Sequence, residues 1–376
     1  MSGRRPNGEG TIYERRDGRW EGAAYVLLPS GGRARKRVYG KTRSEVFAKL
    51  AELQQKSRSG LPAISGQLTM ATYLDEWLEM VAKPSVRPST FYSYRLYVED
   101  HLIPALGKKR LTRLTPTDVR AFVQAKTTAG LAPATVKQMH AILRAALQHA
   151  MREDLVARNV AKLVVVPGGS QGEIVPLSVE EARALLSAAE GTRLYALWAV
   201  ALAVGLRRGE ALGLRWKDVD LDLGELRVSQ TLQRVDGQLQ IVPPKSERSR
   251  RRVPLPSVTV AALKRHREQA ATEAAKRGGS VRPDDLVFTS SIGTPLEPRN
   301  ANRVFTDLLR SAGLRPTRFH DLRHTCASLL LAQGVSPRVV METLGHSAIA
   351  VTMNTYGHVM PLAQREAADR MNELFV

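Results

Sequence analysis

The sequence predicts a mainly α-helical protein with small β-sheets, an α+β fold class, arranged as three domains. Apolar residues recur at helical spacing over most of the chain, whereas short β-prone runs are confined to two regions. The 376 residues are too many for one hydrophobic core. Two Gly-, Ser- and Pro-rich stretches, at 57–67 and 167–173, are typical of linkers. We therefore predict domains at residues 1–60, 67–165 and 174–376.

The first domain is predicted to be a three-stranded antiparallel sheet followed by one helix. Its β-prone runs are centred on Tyr13, Trp20, Tyr25 and Val38. Asp17 and Gly18 separate two of these runs, and an Asp-Gly pair in that position is a strong hairpin signal. The helix SEVFAKLAELQQK follows, with Ser44 as its expected cap.

Positive charge is most concentrated in this first domain. Residues 1–60 hold 14 basic and 6 acidic side chains. Arg33, Arg35 and Arg37 alternate, so in a strand they would share one face of the sheet. A basic sheet face fits the major groove of DNA, and a merely solvated strand is the alternative.

The second domain is predicted to be a compact basic bundle of four or five helices. One helix covers residues 73–81, and another begins near Ser89 and is expected to end before Pro104, because proline is unfavourable inside a helix. Two more helices follow, the first with Thr115 as its cap and Pro116 as its first residue. Such a bundle carries no assigned function by its fold alone.

The third domain is predicted to be rich in helices and to carry a small antiparallel sheet. Ser178 and Glu181 have the spacing of a capping box, which indicates the start of a helix. An apolar helix from Leu194 to Val204 is expected to end at Gly205. β-prone runs come next, and the remainder of the chain is mostly helical in pattern.

The bulk composition indicates a polyanionic partner and argues against a membrane protein. A formal net charge of +20 fits nucleic acid, an anionic membrane surface or an acidic protein. The longest apolar run, 194–206, has 13 residues, against the roughly 20 that span a bilayer. The basic N-terminus lacks the apolar stretch of a secretory signal. The protein is therefore expected to stay in the cytoplasm, in association with the bacterial nucleoid.

Four passages of the third domain combine basic, histidine and tyrosine residues at a definite spacing. They are GLRRGEALGLRW, PPKSERSRR, HDLRHTCASLLLAQG and LGHSAIAVTMNTYGHV. They resemble the pattern of the tyrosine recombinase, or phage integrase, family. That pattern is an Arg after a helix-ending Gly, a Lys in a β-hairpin, His-x-x-Arg, a later Leu-Gly-His and a Tyr about ten residues beyond. The matching positions are Arg207, Lys245, His320, Arg323, His346 and Tyr356.

The residue types also support phosphate chemistry directly. Two guanidinium groups, those of Arg207 and Arg323, can bind the non-bridging oxygens of one phosphate and the extra charge of its transition state. His320 and Arg323 are three apart, so on a helix they would point the same way. Thr317 is the candidate cap of that helix, and Gly334 is placed to end it.

Attack by the phenol oxygen of Tyr356 on a phosphodiester exchanges one phosphate ester for another, so no ATP, metal or other cofactor is expected. A phenol with its ordinary pKa near 10 is a weak nucleophile at neutral pH, and His320 is the expected acid–base partner. Lys245, one of four lysines beyond residue 167, lies in a Pro-preceded, hairpin-like stretch. The resemblance assigns Lys245 the role of general acid toward the leaving 5′ oxygen, and His346 a hydrogen bond to the scissile phosphate.

The resemblance implies a site-specific integrase that works through a 3′-phosphotyrosine link. It implies that the first two domains bind arm sites and core sites in double-stranded DNA, and that four copies act on two paired sites. Integration of a phage or another mobile element is the implied role, with host DNA-bending proteins and an excision factor steering direction. The segment after Tyr356 is amphipathic in pattern and packs either on a neighbouring subunit or on its own domain.

Three other functions compete with this interpretation. His320 and His324 are four apart, as in zinc-binding helices, but Arg323 lies between them and the single cysteine excludes a multi-cysteine cluster. A non-catalytic DNA-binding regulator would explain the charge but not six residue types in family order. A type IB topoisomerase would share the chemistry, whereas the separate basic sheet and the tail after Tyr356 fit a recombinase better.

Overall fold

The computed structural model describes residues 11–27, 33–58, 68–168, 175–244 and 249–345, together with a few residues close to the C-terminus. The chain divides into two compact units, Met1–Gln171 and Gly172–Val376. Their boundary falls inside the stretch 167–173 that the sequence indicates as a linker. The division of the first unit into two domains stays a prediction.

The first unit begins with the expected three-stranded antiparallel sheet. Its strands are β1 (Thr11–Glu14), β2 (Trp20–Leu27) and β3 (Arg33–Gly40), with β2 in the middle. Gly18 adopts a φ of 75° in the turn between β1 and β2, which explains why the turn uses an Asp-Gly pair.

Helix α1 (Arg43–Arg58) follows the sheet, but its cap is Thr42 and not Ser44. Thr42 Oγ1 accepts a hydrogen bond from the Glu45 amide at 3.2 Å, and Glu45 Oε2 accepts one from the Lys41 amide at 2.9 Å. Thr42 is the cap because Glu45, an acidic residue, stands three places after it, whereas Ser44 already lies inside the helix. The helix lies close to the sheet at Gly22, where an added Cβ would come within 2.6 Å of Val46 Cγ1.

The opposite side of the sheet is a basic face, which we define by Arg35 and Arg37 together with three exposed tyrosines. The tyrosines are Tyr13, Tyr25 and Tyr39. The strand register places all five residues on the same side, as predicted for Arg35 and Arg37. The Arg33 side chain lies outside the described residues. Buried Glu21 sits within this face and pairs with Arg15 and Arg37 at 3.3 and 3.5 Å.

The rest of the first unit is helical. Its α-helical segments are α2 (Met70–Trp77), α3 (Lys83–Ser85), α4 (Pro88–Tyr97), α5 (Ile103–Leu106), α6 (Pro116–Thr128) and α7 (Pro133–Arg152). Thr115 caps α6 through a capping box with Asp118, as its spacing predicts. The core of this bundle contains Met70, Leu74, Leu102, Met139 and Leu143.

The prediction that a helix ends before Pro104 is wrong. A π-helical turn, Val98–Leu102, joins α4 to α5, and the helix continues through Pro104. In this wider turn the Ile103 amide donates to the Val98 carbonyl, five residues back. The wider spacing accommodates a ring that has no N–H to donate and would collide with a carbonyl in a regular helix. A second π-helical turn, Leu78–Ala82, precedes Pro84 in the same way.

The second unit contains seven α-helices and two small sheets among its described residues. The helices are α8 (Val179–Ala189), α9 (Tyr195–Val204), α10 (Arg208–Leu212), α11 (Ser257–Lys276), α12 (Pro298–Ser311), α13 (Asp321–Ala332) and α14 (Pro337–Leu344). The strands are β4 (Val219–Asp220), β5 (Glu225–Val228), β6 (Thr231–Val235), β7 (Gln238–Val242) and β8 (Arg251–Pro254). β5 pairs with β4 and β8, so β6 and β7 form a separate hairpin in place of one continuous sheet.

Helix α9 runs through the centre of this unit and sets the position of the residues after it. Its Trp198 is buried against the rings of Phe305 and Phe319. The helix ends at Gly205 in the left-handed conformation, as predicted. An added Cβ there would lie 2.5 Å from Leu344 Cδ2, so the end of α9 is held tightly against α14. The described part of the chain has no helix long and apolar enough to cross a membrane.

Candidate active site

Arg207 lies at the N-cap of α10, two residues after Gly205. Its amide and its Nη1 donate to the two carboxylate oxygens of Glu210 at 3.1 and 2.7 Å, and its Nη2 donates to the Gly345 carbonyl at 3.0 Å. The side chain nevertheless keeps 37% of its surface exposed. Arg207 is therefore held at its backbone and on both terminal nitrogens while the guanidinium still reaches solvent.

Glu210 is a buried carboxylate shared by two guanidinium groups. Arg251 Nη2 donates to Glu210 Oε2 at 3.1 Å, on the same oxygen that accepts the Arg207 amide. Burial by itself would raise the pKa of the Glu210 carboxyl, but the charges of Arg251 and Arg207 lower it overall. The three side chains together carry one net positive charge.

Arg323 lies in the first turn of α13 and is buried. Its Nη1 donates to the Gly205 carbonyl at 2.8 Å. Gly205 is two residues before Arg207, so one short segment of backbone positions both predicted arginines. This contact joins residues 118 positions apart in the chain.

The prediction that Thr317 caps α13 is wrong. The helix begins at Asp321, and the Thr317 hydroxyl instead donates to the Arg315 carbonyl at 3.2 Å. Asp321 closes the first turn, because its carboxylate accepts a hydrogen bond from the Arg318 amide at 2.9 Å and pairs with the Arg318 guanidinium. The cap position is the residue immediately before the helix, which is His320, and Thr317 lies three residues before it.

His320 occupies the N-cap position of α13, just outside the helix, and its ring meets the ring of His324 edge-on at 5.4 Å. Burial lowers the pKa of His320 to about 4, and the positive charges of His324, Arg323 and Arg207 add to that effect. His320 and Arg323 share the start of α13, and Arg323 is held at Gly205, two residues before Arg207, so the three predicted residues lie in one cluster. His320 is consequently neutral at pH 7 and able to accept a proton.

This lowered pKa gives a testable prediction for the protein without DNA. In an NMR titration the His320 ring is expected to stay neutral down to a pH well below 6.5, the ordinary midpoint of histidine. Arg207→Gln should move the midpoint upward, because it removes one of the positive charges that disfavour the imidazolium. The same change should leave the lowered pKa of His266 in the same unit unaltered, because burial and the charge of Arg193, not of Arg207, act on that ring. A His320 midpoint near 6.5 in the unmodified protein would contradict this account of the site.

The described residues do not support the zinc alternative. His324 lies beside His320, but no group of three histidine, cysteine, aspartate or glutamate side chains suited to hold a metal occurs in the described ranges. Arg323 lies between the two histidines in sequence and repels a dication. The pair is better explained as neighbouring imidazoles at the start of α13.

Three of the six predicted residues, Lys245, His346 and Tyr356, lie outside the described part of the chain. The amphipathic segment after Tyr356 lies almost entirely outside it as well. Two of the three adjoin described neighbours: Lys245 follows Pro244, and His346 follows Gly345, whose carbonyl accepts from Arg207.

Two further arginines, Arg208 and Arg215, flank Arg207 in the sequence. Arg215 is engaged elsewhere, by Asp218 at 2.7 Å and Ser229 at 3.1 Å. Arg208 is half-buried within α10. Glu210 pairs with Arg207 and Arg251 instead.

Sequence reasoning missed Glu210 and Arg251. Glu210 had a local signal, since an acid three residues after a helix cap is the second half of a capping box. Arg251 had no such local signal, because it is one of several arginines in the run RSRRR and nothing in the sequence distinguishes it from the others.

Comparison with known proteins identifies the family of the chain. Residues 176–362 match the phage integrase family, and residues 69–127 match the phage integrase N-terminal SAM-like domain. An XerC-like tyrosine recombinase of Caldanaerobacter subterraneus subsp. tengcongensis is 32% identical over 371 residues, which cover 92% of this chain and 94% of the relative.

Two solved structures share the fold at lower identity. The Tn1549 transposon integrase in complex with a circular intermediate DNA has a TM-score of 0.71 at 21% identity and covers 81% of this chain and 99% of its own. A lambda integrase tetramer bound to a Holliday junction has a TM-score of 0.59 at 18% identity. The match covers 94% of this chain and 96% of the lambda integrase chain. With the family match over the second unit and a relative aligned along nearly the whole chain, the protein belongs to the phage integrase family of tyrosine recombinases, site-specific enzymes that act on DNA.

Proposed function

We propose that this integrase cuts and rejoins one DNA strand at a time through a 3′-phosphotyrosine link on Tyr356. The other catalytic residues in this proposal are Arg207, Lys245, His320, Arg323 and His346. The observation that carries the proposal is the cluster of Arg207, Arg323 and neutral His320. The backbone near Gly205 and Gly345 holds both guanidinium groups.

In the proposed reaction the two arginines receive the scissile phosphate. Arg207, whose guanidinium is partly exposed, meets a non-bridging oxygen, and Arg323 contributes its charge from the buried side. The charge on these oxygens grows as phosphorus becomes five-coordinate, so both contacts strengthen in the transition state. His346 adds a hydrogen bond to the same phosphate.

Proton transfer completes the exchange of esters. The Tyr356 oxygen forms a bond to phosphorus while the bond to the 5′ oxygen breaks, and His320 accepts the phenol proton. Lys245 donates a proton to the departing 5′ oxygen, which becomes a free hydroxyl. The reverse attack by a 5′ hydroxyl reseals a strand, so the ester bond energy is kept and no cofactor is required.

The function is tested with a core site that is nicked close to the cleavage position, so that the short 5′ product diffuses away. The core site itself can be taken from the junctions between the integrated element and the host DNA. The protein is expected to become covalently attached to the 3′ end of the labelled strand, and the attached peptide should contain Tyr356.

Lys245 gives a prediction that isolates the leaving-group step. Lys245→Ala is expected to slow cleavage of the normal substrate by about 10²-fold, because the alkoxide then leaves without a proton. A substrate with sulfur in place of the bridging 5′ oxygen should be cleaved at close to the wild-type rate, since a thiolate leaves unprotonated. Lys264→Ala, a lysine of α11 outside the motif, is the matched control. Failure of the sulfur substrate to restore the rate would remove Lys245 from this role.

The domain assignments follow the same proposal. In this proposal the domain at residues 67–165 and the catalytic domain at residues 174–376 together bind the core site. The domain at residues 1–60 binds separate arm sites through the basic face. Exposed arginines and tyrosines on one side of a sheet supply both phosphate contacts and flat surfaces for DNA. The structure of residues 82–397 of the Tn1549 integrase in complex with circular intermediate DNA, which covers 80% of this chain, supports DNA binding by the last two domains.

Deleting residues 1–60 tests this division of labour. The truncated protein is expected to lose most of its affinity for arm-site DNA and to keep its cleavage of the core site within a few-fold of the full chain. Gel-shift titrations on the two DNAs and adduct formation on the nicked core site measure the two activities separately. Loss of both activities together would contradict the proposed boundary.

The assembly proposed for this chain is a tetramer that pairs two core sites and exchanges two strands. The lambda integrase tetramer bound to a Holliday junction supports this assembly. Host DNA-bending proteins and an excision factor would then set the direction of recombination. The proposed role is integration and excision of a phage or another mobile element in the bacterial cytoplasm.

A further inference from the structure

We infer that Arg251 is a positioning residue for strand cleavage, which keeps Arg207 available to the scissile phosphate without touching DNA itself. The inference rests on the proposed function, because it names a residue that supports the Arg207 of that mechanism. Arg251 is the first residue of β8, and its side chain is only 7% exposed.

The Arg251 guanidinium contacts three separate parts of the catalytic unit. Its Nη2 donates to Glu210 Oε2 at 3.1 Å, its Nε to the Thr343 carbonyl at 2.6 Å, and its Nη1 to the Ser249 carbonyl at 3.3 Å. Each nitrogen thus serves a different chain segment. Lysine could not reproduce this arrangement, because its ammonium is a single point at the end of a flexible stem.

Each contact leads toward a residue of the proposed mechanism. Glu210 binds both the amide and the guanidinium of Arg207. Thr343 lies in the last turn of α14, two residues before the Gly345 carbonyl that accepts from Arg207 Nη2. Ser249 lies four residues after Lys245 in the sequence.

The end of α14 is also packed directly on Arg251. Gly345 has a φ of 67°, and a Cβ added to it would lie 3.0 Å from Arg251 Nη1 and 3.2 Å from Arg251 Cδ. The glycine therefore lies flat against this side chain, and His346 is the next residue. Arg251 acts as the surface on which the turn before His346 rests.

Charge supplies the reason why Arg251 matters for Arg207. With both arginines present, the single negative charge of Glu210 is shared and one positive charge remains for a phosphate. Without Arg251, Arg207 becomes the one remaining counter-ion of Glu210 among the described residues, and the pair is neutral. A buried carboxylate holds a lone counter-ion strongly, so Arg207 would be drawn toward Glu210 and away from the DNA.

The test measures single-turnover cleavage of a core site by the full-length protein and four variants. Arg251→Gln is expected to lower the cleavage rate by about 10²-fold, which is the effect of displacing a catalytic group by about 1 Å. The Kd for the core site should change by less than about threefold. Arg251→Lys should lie between this variant and the wild type, because it keeps the charge. Arg252→Gln, the exposed neighbour on β8 that pairs loosely with Glu225, should cleave normally.

A substrate with an uncharged methylphosphonate at the scissile position separates positioning of Arg207 from general damage to the fold. Such a substrate needs less countercharge, so the deficit of Arg251→Gln relative to wild type should shrink to less than 10-fold. An equal deficit on both substrates, or a wild-type rate on the normal one, would overturn the inference. Arg251→Lys provides the same comparison if the glutamine variant unfolds.

Arg207→Gln is included so that two kinds of failure can be told apart. If Arg207→Gln cleaves slowly and Arg251→Gln does not, the inference about Arg251 is wrong and the proposed function stands. If neither variant differs from wild type, or if wild type forms no adduct on Tyr356, the proposed mechanism itself fails.

Discussion

Tyr356→Phe is expected to abolish the covalent protein–DNA adduct while leaving affinity for the core site unchanged. The substitution removes only the oxygen that would attack phosphorus and keeps the aromatic ring. The rate of adduct formation should fall by about 10⁴-fold or more, the range seen when an enzyme loses its nucleophile. Denaturing gels of a labelled, nicked core site measure the adduct, and gel shifts measure binding.

A second tyrosine provides the matched control for this experiment. Tyr195 lies at the start of α9, in the same unit, and the Arg265 guanidinium stacks over its ring. Tyr195→Phe keeps that ring contact and should form the adduct at the wild-type rate. Persistence of the adduct in Tyr356→Phe, or its loss in Tyr195→Phe, would refute the assignment of the nucleophile.

Arg207→Ala is expected to lower the rate of strand cleavage by about 10²–10³-fold, the usual cost of losing a donor that meets the transition-state charge. The fold should survive, because Glu210 keeps its pairing with Arg251 and is not left as an isolated buried charge. Single-turnover cleavage at saturating protein measures the chemical step, and thermal unfolding checks the fold.

Arg208→Ala is the control for this change, since it removes a positive charge one residue away. It should reduce binding to DNA slightly and leave the saturated cleavage rate within about threefold of wild type. An Arg207→Ala enzyme that cleaves as fast as Arg208→Ala would contradict the role of Arg207. The comparison separates a specific phosphate contact from the general attraction of a basic protein for DNA.

Local patterns predicted most of the secondary structure because short-range chemistry decides it. The capping boxes at Thr115 and Ser178 and the ends of helices at Gly205 and Gly334 depend on residues within four positions. The predicted cap of α1, Ser44, is two residues later than the observed cap, Thr42, although Glu45 already favours Thr42 in the sequence. Local rules were also insufficient at Pro104, where a π-helical turn lets the helix continue.

The sequence alone determined the family and the six residues proposed for catalysis, because order and spacing of chemical groups are properties of the chain itself. Only the tertiary structure decided how Arg207 is held, through Gly345 and Glu210, and that Arg323 is fastened to the backbone beside it. Within the arginine run of β8 it also decided that the Arg251 side chain is 7% exposed and the Arg252 side chain 72%. The physical reason is that a buried charge is stable only where partners from distant segments meet it, and no stretch of sequence specifies such partners by itself.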